Sequence, residues 1–308
     1  MGTLTNDFSW SASRDALFEE CKRKYYYNYY GSWGGWEKDR ADHVTRTLYV
    51  LKNLQNIPMW KGKSVHTEIS RILKELVGTN ELINLEYSLT RVTNLMRQEF
   101  KFSRDGLYWN AVDSLGKVNY LFEHEYGLDI PDERWKKNHQ DVIECIRNFY
   151  RSDVLEKVKT LEHDDVLSID RITPIPFSFN EEKIYVNLDL AYKLDDGIEI
   201  VDWKTGAGES NKLQFIIYTI YANEILGASA DKISLIEYNL FGNEKTVHRF
   251  SYKELSEAKN YINSSIDSMK RYLSDPTGNE AIITDFPRTE DEWKCNSCNF
   301  KKICFDLP

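Results

Sequence analysis

Asp189, Asp202 and Lys204 stand close together in the stretch NLDLAYKLDDGIEIVDWK, residues 187–204. Apolar and polar residues alternate around them. Ile184, Val186, Leu188 and Leu190 fall on one face of a predicted strand, and Tyr185, Asn187, Asp189 and Ala191 on the other. Asp196-Gly197 is a two-residue turn signal. The returning strand places Ile198, Ile200, Asp202 and Lys204 on a single face. With that turn, Asp195 pairs with Ile198, Ala191 with Asp202 and Asp189 with Lys204, and directly paired residues share a face. A loop two residues longer sets Asp189 opposite Asp202 and keeps all three on one patch. Two carboxylates side by side on a half-buried sheet raise each other's pKa. A divalent cation removes the conflict, and Mg²⁺ favours one or two carboxylates completed by water and phosphate oxygens. A lysine two residues on can orient a water or stabilise charge on a phosphate. These are the parts of metal-assisted phosphodiester hydrolysis. An ordinary Asp–Lys ion pair on a solvent-facing strand fits the same letters.

Residues on either side narrow the choice. After Gly206 and Gly208, NKLQFIIYTIYANEIL predicts a helix on which Gln214 and Tyr218 share a face. Upstream, SVHTEISRILKELV predicts an amphipathic helix with Val65, Ile69, Ile72, Leu73 and Leu76 on its apolar stripe and His66 at the edge. Taken alone, such a histidine reads as a core residue. The order His66, Asp189, Asp202-Trp203-Lys204, Gln214 and Tyr218 resembles the PD-(D/E)XK nuclease superfamily. It resembles in particular the RecB-like branch, with its His…Asp…(Asp/Glu)-x-Lys…Gln-x-x-x-Tyr pattern. The resemblance implies Mg²⁺ or Mn²⁺ held by His66, Asp189, Asp202 and the Trp203 main-chain carbonyl, with Lys204 supporting the attacking water. It also implies that Gln214 and Tyr218 contact DNA or steady the site. Val186 stands where the family often has Gly, Leu188 replaces the Pro of the motif name, and Asp202 is the shorter of the two allowed acids.

Of five cysteines, three cluster in CNSCNFKKIC: Cys295, Cys298 and Cys304. A fourth ligand must be remote: Cys145, flanked by apolar residues on a predicted helix, reads as core, and Cys21 lies near the N-terminus beside a basic, aromatic stretch. Spacing alone leaves structural zinc and an iron–sulfur cluster both open. The RecB-like branch with an iron–sulfur staple has this layout, and the resemblance therefore implies a [4Fe–4S] cluster on Cys21, Cys295, Cys298 and Cys304. A disulfide framework does not suit a cytosolic chain of this size.

The elements that must position these residues follow from the rest of the chain, 308 residues with 41% hydrophobic content. Residues 10–160 read mostly as helix and 164–204 as strands, followed by a helix, two strands and a long helix opened by the capping box Ser251–Glu254. The fold class expected is α/β, a PD-(D/E)XK core of a central mixed sheet flanked by helices. The expected layout is an N-terminal helical part (1–77) carrying Cys21 and His66, a helical insertion (78–160), the nuclease core (161–275) and a cysteine-rich iron–sulfur tail (276–308). Gly62-Lys63-Ser64 resembles a P-loop fragment, but Ile57 stands where the first Gly belongs and no strand precedes, so nucleotide binding there is rejected. Any helicase would be another chain.

The net charge of -9 argues against coating nucleic acid by bulk charge, though it leaves room for a local basic groove. Basic residues do cluster at Lys22-Arg23-Lys24, Lys61 and Lys63, Arg134-Lys136-Lys137 and Lys301-Lys302. No signal peptide and no apolar run long enough for a membrane span are read, so a cytoplasmic location is expected. What the resemblance implies is a DNA exonuclease acting on single strands or free ends, and an acidic nuclease of this kind could rely on a protein partner for loading. Its rivals are a DNA-binding assembly subunit with a vestigial site and a zinc-stapled scaffold.

Overall fold

The computed structural model describes residues 5–111, 118–171, 175–206, 208 and 211–305; Met1–Leu4, where the leader reading falls in part, lie outside it. The first half is helical: α1 (Ala12–Glu20), α2 (Lys22–Tyr26), α3 (His43–Lys52), α4 (Ile57–Thr79), α5 (Leu85–Arg104), α6 (Phe122–Glu125), α7 (Asp132–Tyr150) and α8 (Asp153–Val158). Then come β1 (Val166–Ile169), β2 (Ile175–Phe179), β3 (Glu182–Val186), β4 (Leu190–Leu194), β5 (Gly197–Lys204), α9 (Lys212–Glu224), β6 (Ile233–Asn239), β7 (Glu244–His248) and α10 (Tyr252–Lys270). Two short helices, α11 (Glu292–Asn296) and α12 (Lys301–Cys304), carry Cys295 and Cys304, and Cys298 lies between them. No helix among the described residues is long and apolar enough to cross a membrane.

The main sheet has the order β1-β4-β5-β6-β7, and only β5 and β6 run parallel. A parallel pair needs a crossover, and α9 supplies it. The central strand is buried on both faces, which explains its nearly unbroken apolar run IEIV. Ile198 and Ile200 pack with Phe215, Ile217 and Ile220 of α9 and with Ile262 and Ile266 of α10. Val201 and Trp203 pack on the opposite side with Val65, Ile69 and Leu73 of α4 and with Val142, Ile146 and Phe149 of α7. The 78–160 segment therefore covers one face of the sheet, and Cys145 lies in that core, 1% exposed, as expected.

Capping signals act as the sequence suggests. Ser251 and Glu254 form a reciprocal capping box on α10. Helix α4 is capped by Asn56, whose side chain accepts the Met59 N–H at 3.0 Å, and it stops at Asn80 in the left-handed region (φ 63°).

Two readings need correction. The alternating run 184–194 is not one strand. Strand β3 pairs with β2 in a separate two-stranded sheet, β4 joins the main sheet, and the chain bends between them. The bend is fixed by Asn187, whose Oδ1 accepts the Arg171 N–H at 3.1 Å and whose Nδ2 donates to Asp170 Oδ1 at 2.8 Å. Such local side-chain bonds compete with ladder pairing. Leu188 and Leu190, expected on one face, consequently enter cores on opposite sides of the sheet.

The hairpin register is also shifted. Leu194 pairs with Gly197, Ala191 with Ile200 and Leu190 with Val201, so Asp195-Asp196 form the turn and Gly197 is inside the ladder. The turn keeps two residues but starts one position earlier than expected, and this register carries Asp189 toward Asp202 rather than Lys204. Gly197 is needed for another reason: a Cβ there would lie 2.0 Å from the Lys232 carbonyl oxygen.

Candidate active site

Asp202 lies in the buried carboxyl-terminal half of β5, next to its parallel neighbour β6. Its side chain is on the α9 face and the residue is 3% exposed. Lys204, two residues on and therefore on the same face, places Nζ 2.7 Å from Asp202 Oδ2 and 5.3 Å from the centre of the Phe215 ring. Asp189, at the bend before β4, turns both oxygens inward. Oδ2 accepts the Trp203 N–H at 2.9 Å, and Oδ1 meets His66 Nδ1 at 3.1 Å. The N–H and C=O of one strand residue point the same way, so the Trp203 carbonyl also faces the β4 side.

His66 comes from α4 on one face of the sheet. Gln214 and Tyr218 come from α9 on the other, joined by a Gln214 Nε2 to Tyr218 Oη bond of 2.5 Å. The end of the sheet is where both helical layers can reach the same carboxylates, and all the predicted hydrolytic residues meet there. Asn211 caps α9, accepting the Gln214 N–H at 3.3 Å. With Gln214, Tyr218, Asn187, Ser11 and Ser13 it borders a cavity of about 270 Å³.

The electrostatics show the conflict that the two acids create. Burial, and then the charge of Asp189, push Asp202 up to about 6, against the opposing pull of Lys204 and His66. Burial works against a charged His66, but Asp189, helped by Asp202 and Asp170, outweighs it and raises the imidazole to about 9. Burial, then Asp202 and Asp189, hold the Tyr218 hydroxyl well above its ordinary range.

A family model for the PD-(D/E)XK nuclease superfamily matches residues 9–305. This chain belongs to the PD-(D/E)XK nuclease superfamily. Among solved structures it is similar to a candidate exonuclease from Eubacterium rectale, with 12% identity over 66% of this chain and 79% of that chain and a TM-score of 0.30. No curated protein matches the sequence.

Beside these residues, Asp170 is a carboxylate that sequence reasoning missed. It follows β1, its backbone N–H donates to the Asp189 carbonyl at 3.1 Å, and its charge reaches both His66 and Tyr218. Its only sequence signal was an acid at the end of a short strand, shared by many surface residues.

A cation would find the donors close but engaged. Asp189 is spent on His66 and the Trp203 amide, and Asp202 on Lys204. Among the described residues no three His, Cys, Asp or Glu side chains already stand in ligand geometry. The donor chemistry nonetheless fits a hard divalent ion: two carboxylates, an imidazole and a strand carbonyl side by side, with a buried like-charge conflict for the ion to remove.

The second predicted cluster also converges. Cys21, Cys295, Cys298 and Cys304 line one small cavity with Lys24, Lys294 and Arg288. Cys21 Sγ accepts the Lys24 N–H and Cys298 Sγ the Phe300 N–H, both at 3.4 Å. Such N–H···S bonds are among the levers that tune thiolate-bound clusters. Burial raises the Cys298 thiol to about 11, a cost that a bound cation would reverse.

Proposed function

We propose that the chain is a metal-dependent DNA nuclease of the RecB-like branch. It acts as an exonuclease on single-stranded DNA or free ends, and a [4Fe–4S] cluster on Cys21, Cys295, Cys298 and Cys304 ties its termini together. The convergence of His66, Asp189, Asp202 and Lys204 at the carboxyl end of β5 carries this reading. Mg²⁺ or Mn²⁺ bound by His66, Asp189, Asp202 and the Trp203 carbonyl would supply Lewis acidity and a lowered water pKa. The chain does the rest. Lys204 keeps a cation beside the scissile position, where it orients a water or offsets charge growing on the phosphate. Phe215 and the buried strand exclude bulk water, which strengthens these interactions. Gln214, Tyr218, Asn187 and Asn211 offer neutral donors to the DNA backbone along the adjoining cavity. The net charge of -9 leaves bulk DNA recruitment to a partner, such as a separate helicase.

Anaerobically purified protein incubated with 5′- and 3′-labelled single- and double-stranded DNA tests this. Release of labelled mononucleotides that requires Mn²⁺ or Mg²⁺ is expected. DNA binding without cleavage of any substrate would favour an assembly subunit with a vestigial site. Colourless protein with one zinc per chain would replace the cluster by structural zinc and leave the nuclease reading standing.

Protons compete with the catalytic metal. Asp202 holds one up to a pH of about 6 and His66 up to about 9, so Mn²⁺ affinity is expected to rise across that interval with proton release. Calorimetry in two buffers of different ionisation enthalpy reads the released protons; a pH-independent affinity would count against these ligands. His66→Ala should weaken Mn²⁺ binding by about a hundredfold. It should also remove an apo-state stabilisation that is complete below the ordinary histidine pKa and disappears as pH rises through about 9. Melting curves at pH 6 and pH 10 check that sign, because a histidine that served only as core would cost stability equally at both.

A further inference from the structure

The strongest feature outside the carboxylate site is an open groove of about 360 Å³ between α4, α5 and α7. Its wall is aromatic. Phe100 meets Trp135 edge-on at 5.0 Å, Trp60 meets Trp135 at 6.3 Å, and both Phe100 and Trp135 are only half-buried. Its rim is cationic. Arg97, Lys101 and Arg104 recur at one-turn intervals along α5, and Lys136 faces them from α7; all four are exposed. Arg104 bonds its neighbour Asp105 at 2.8 Å, whereas no ion pair holds Arg97, Lys101 or Lys136 among the described residues. In a chain of net charge -9, a groove lined by four cations and no carboxylate is a local reversal of sign.

The groove shares α4 with His66. Trp60, Lys63 and His66 follow one another at three-residue steps on α4, a path of about 9 Å at the helical rise. Lys63 is exposed midway along it. One residue earlier, α4 passes close to the loop after Lys204, since a Cβ on Gly62 would lie 3.3 Å from Thr205 Oγ1.

We propose that this groove binds single-stranded DNA, its bases stacking on Trp135 and Phe100, with buried Trp60 backing the wall, and its phosphates meeting Arg97, Lys101 and Lys136, and delivers the strand along α4 to the carboxylate site. This rests on the nuclease reading for its purpose but not for its binding chemistry. Aromatic platforms beside a cationic track are the physical requirements for sequence-independent single-strand binding. A duplex would not present base faces to the aromatic wall, and an acidic polypeptide would use the rim alone.

Binding of a fluorescent thymidine oligonucleotide is measured in EDTA, so that cleavage cannot intervene. The triple variant Arg97→Ala, Lys101→Ala, Lys136→Ala is expected to bind about tenfold or more weakly at low salt. Its salt slope should fall by about 2, from roughly 0.7 per lost phosphate contact on a single strand. Trp135→Ala should lose about tenfold with the slope unchanged, because stacking releases no counterions. All three cation positions are exposed, so the triple variant decides the matter even where Trp135→Ala fails to fold. Mn²⁺-dependent hydrolysis of bis(p-nitrophenyl) phosphate, too small to span the groove, should proceed at the parent rate in these variants. Parent-like oligonucleotide affinity in the triple variant would overturn the proposal, as would a parent protein that binds duplex or polyglutamate as tightly as the single strand. A parent that binds the oligonucleotide through the groove but hydrolyses nothing would sink the nuclease reading and leave this one intact.

Discussion

Asp202→Asn is expected to reduce cleavage by about a thousandfold or more, the scale set by losing a charged metal ligand and the electrostatic preorganisation around it. The fold should survive, and in the apo protein it should be at least as stable as the parent at pH 8. Asp202 is 3% exposed and its carboxyl is raised to about 6 by burial and by Asp189, so its ionised form is a cost to the folded state. A raised carboxyl pKa destabilises the fold above that pKa and has no effect once the acid is protonated in both folded and unfolded chains. The melting advantage of the Asn variant should therefore be largest at pH 8 and shrink as pH falls through about 6, offset in part by Lys204 losing its anionic partner. Lys204→Ala should also abolish cleavage, but it should melt lower at pH 8, because Asp202 is then left buried beside Asp189 with no neighbouring ammonium. A core role for Asp202 predicts the reverse for the Asn variant: lost stability with activity retained per folded molecule. Parent-rate cleavage by Asp202→Asn would remove the site assignment altogether.

Cys21→Ser is expected to give protein without iron or acid-labile sulfide and with a tail open to proteolysis after α10. The cluster would join residue 21 to residues 295–304, closing nearly the whole chain. Treated as a cross-link, that closure is worth on the order of 5 kcal/mol as an upper bound, comparable to the whole stability of many domains. The loss should be smaller than the bound, because other contacts also dock the tail. Arg23 Nε donates to the Phe286 carbonyl at 2.7 Å, Asn299 Nδ2 to the Leu54 carbonyl at 2.9 Å, and Phe300 packs on the Tyr27 ring at 5.2 Å. Cys145→Ala is the control. Its thiol is 1% exposed and raised to about 12 by burial, so the variant should keep the iron and lose only about 1–2 kcal/mol to a small core cavity. Equal iron content in the Cys21 variant and the parent would exclude Cys21 as a ligand; full zinc and no iron in the parent would change the metal but not the ligand set.

The sequence by itself determined that Asp202 and Lys204 share a face, because side-chain direction in a strand has period two whatever the rest of the chain does. It determined the α10 capping box and the α4 apolar stripe for the same reason: both depend on spacing within one element. It could also mark Gln214 and Tyr218 as neighbours, four apart on α9. Where the expectation depended on how elements meet, it failed or was silent. The hairpin register turned on whether Gly197 served the turn or the close passage of Lys232, a contact between residues far apart in the chain. The continuous strand 184–194 was broken by Asn187 bonding back to residues 170 and 171, across a gap that no periodicity reports. Asp170 was invisible because an acid after a short strand is ordinary until β1 is laid beside β4. The groove was invisible too: Arg97 and Lys101 look like a solvated helix face until α7 brings Trp135 and Lys136 opposite them. Local spacing fixes direction within an element, while only burial of apolar faces against one another fixes which elements become neighbours, and it was that packing which turned scattered acids, cations and rings into sites.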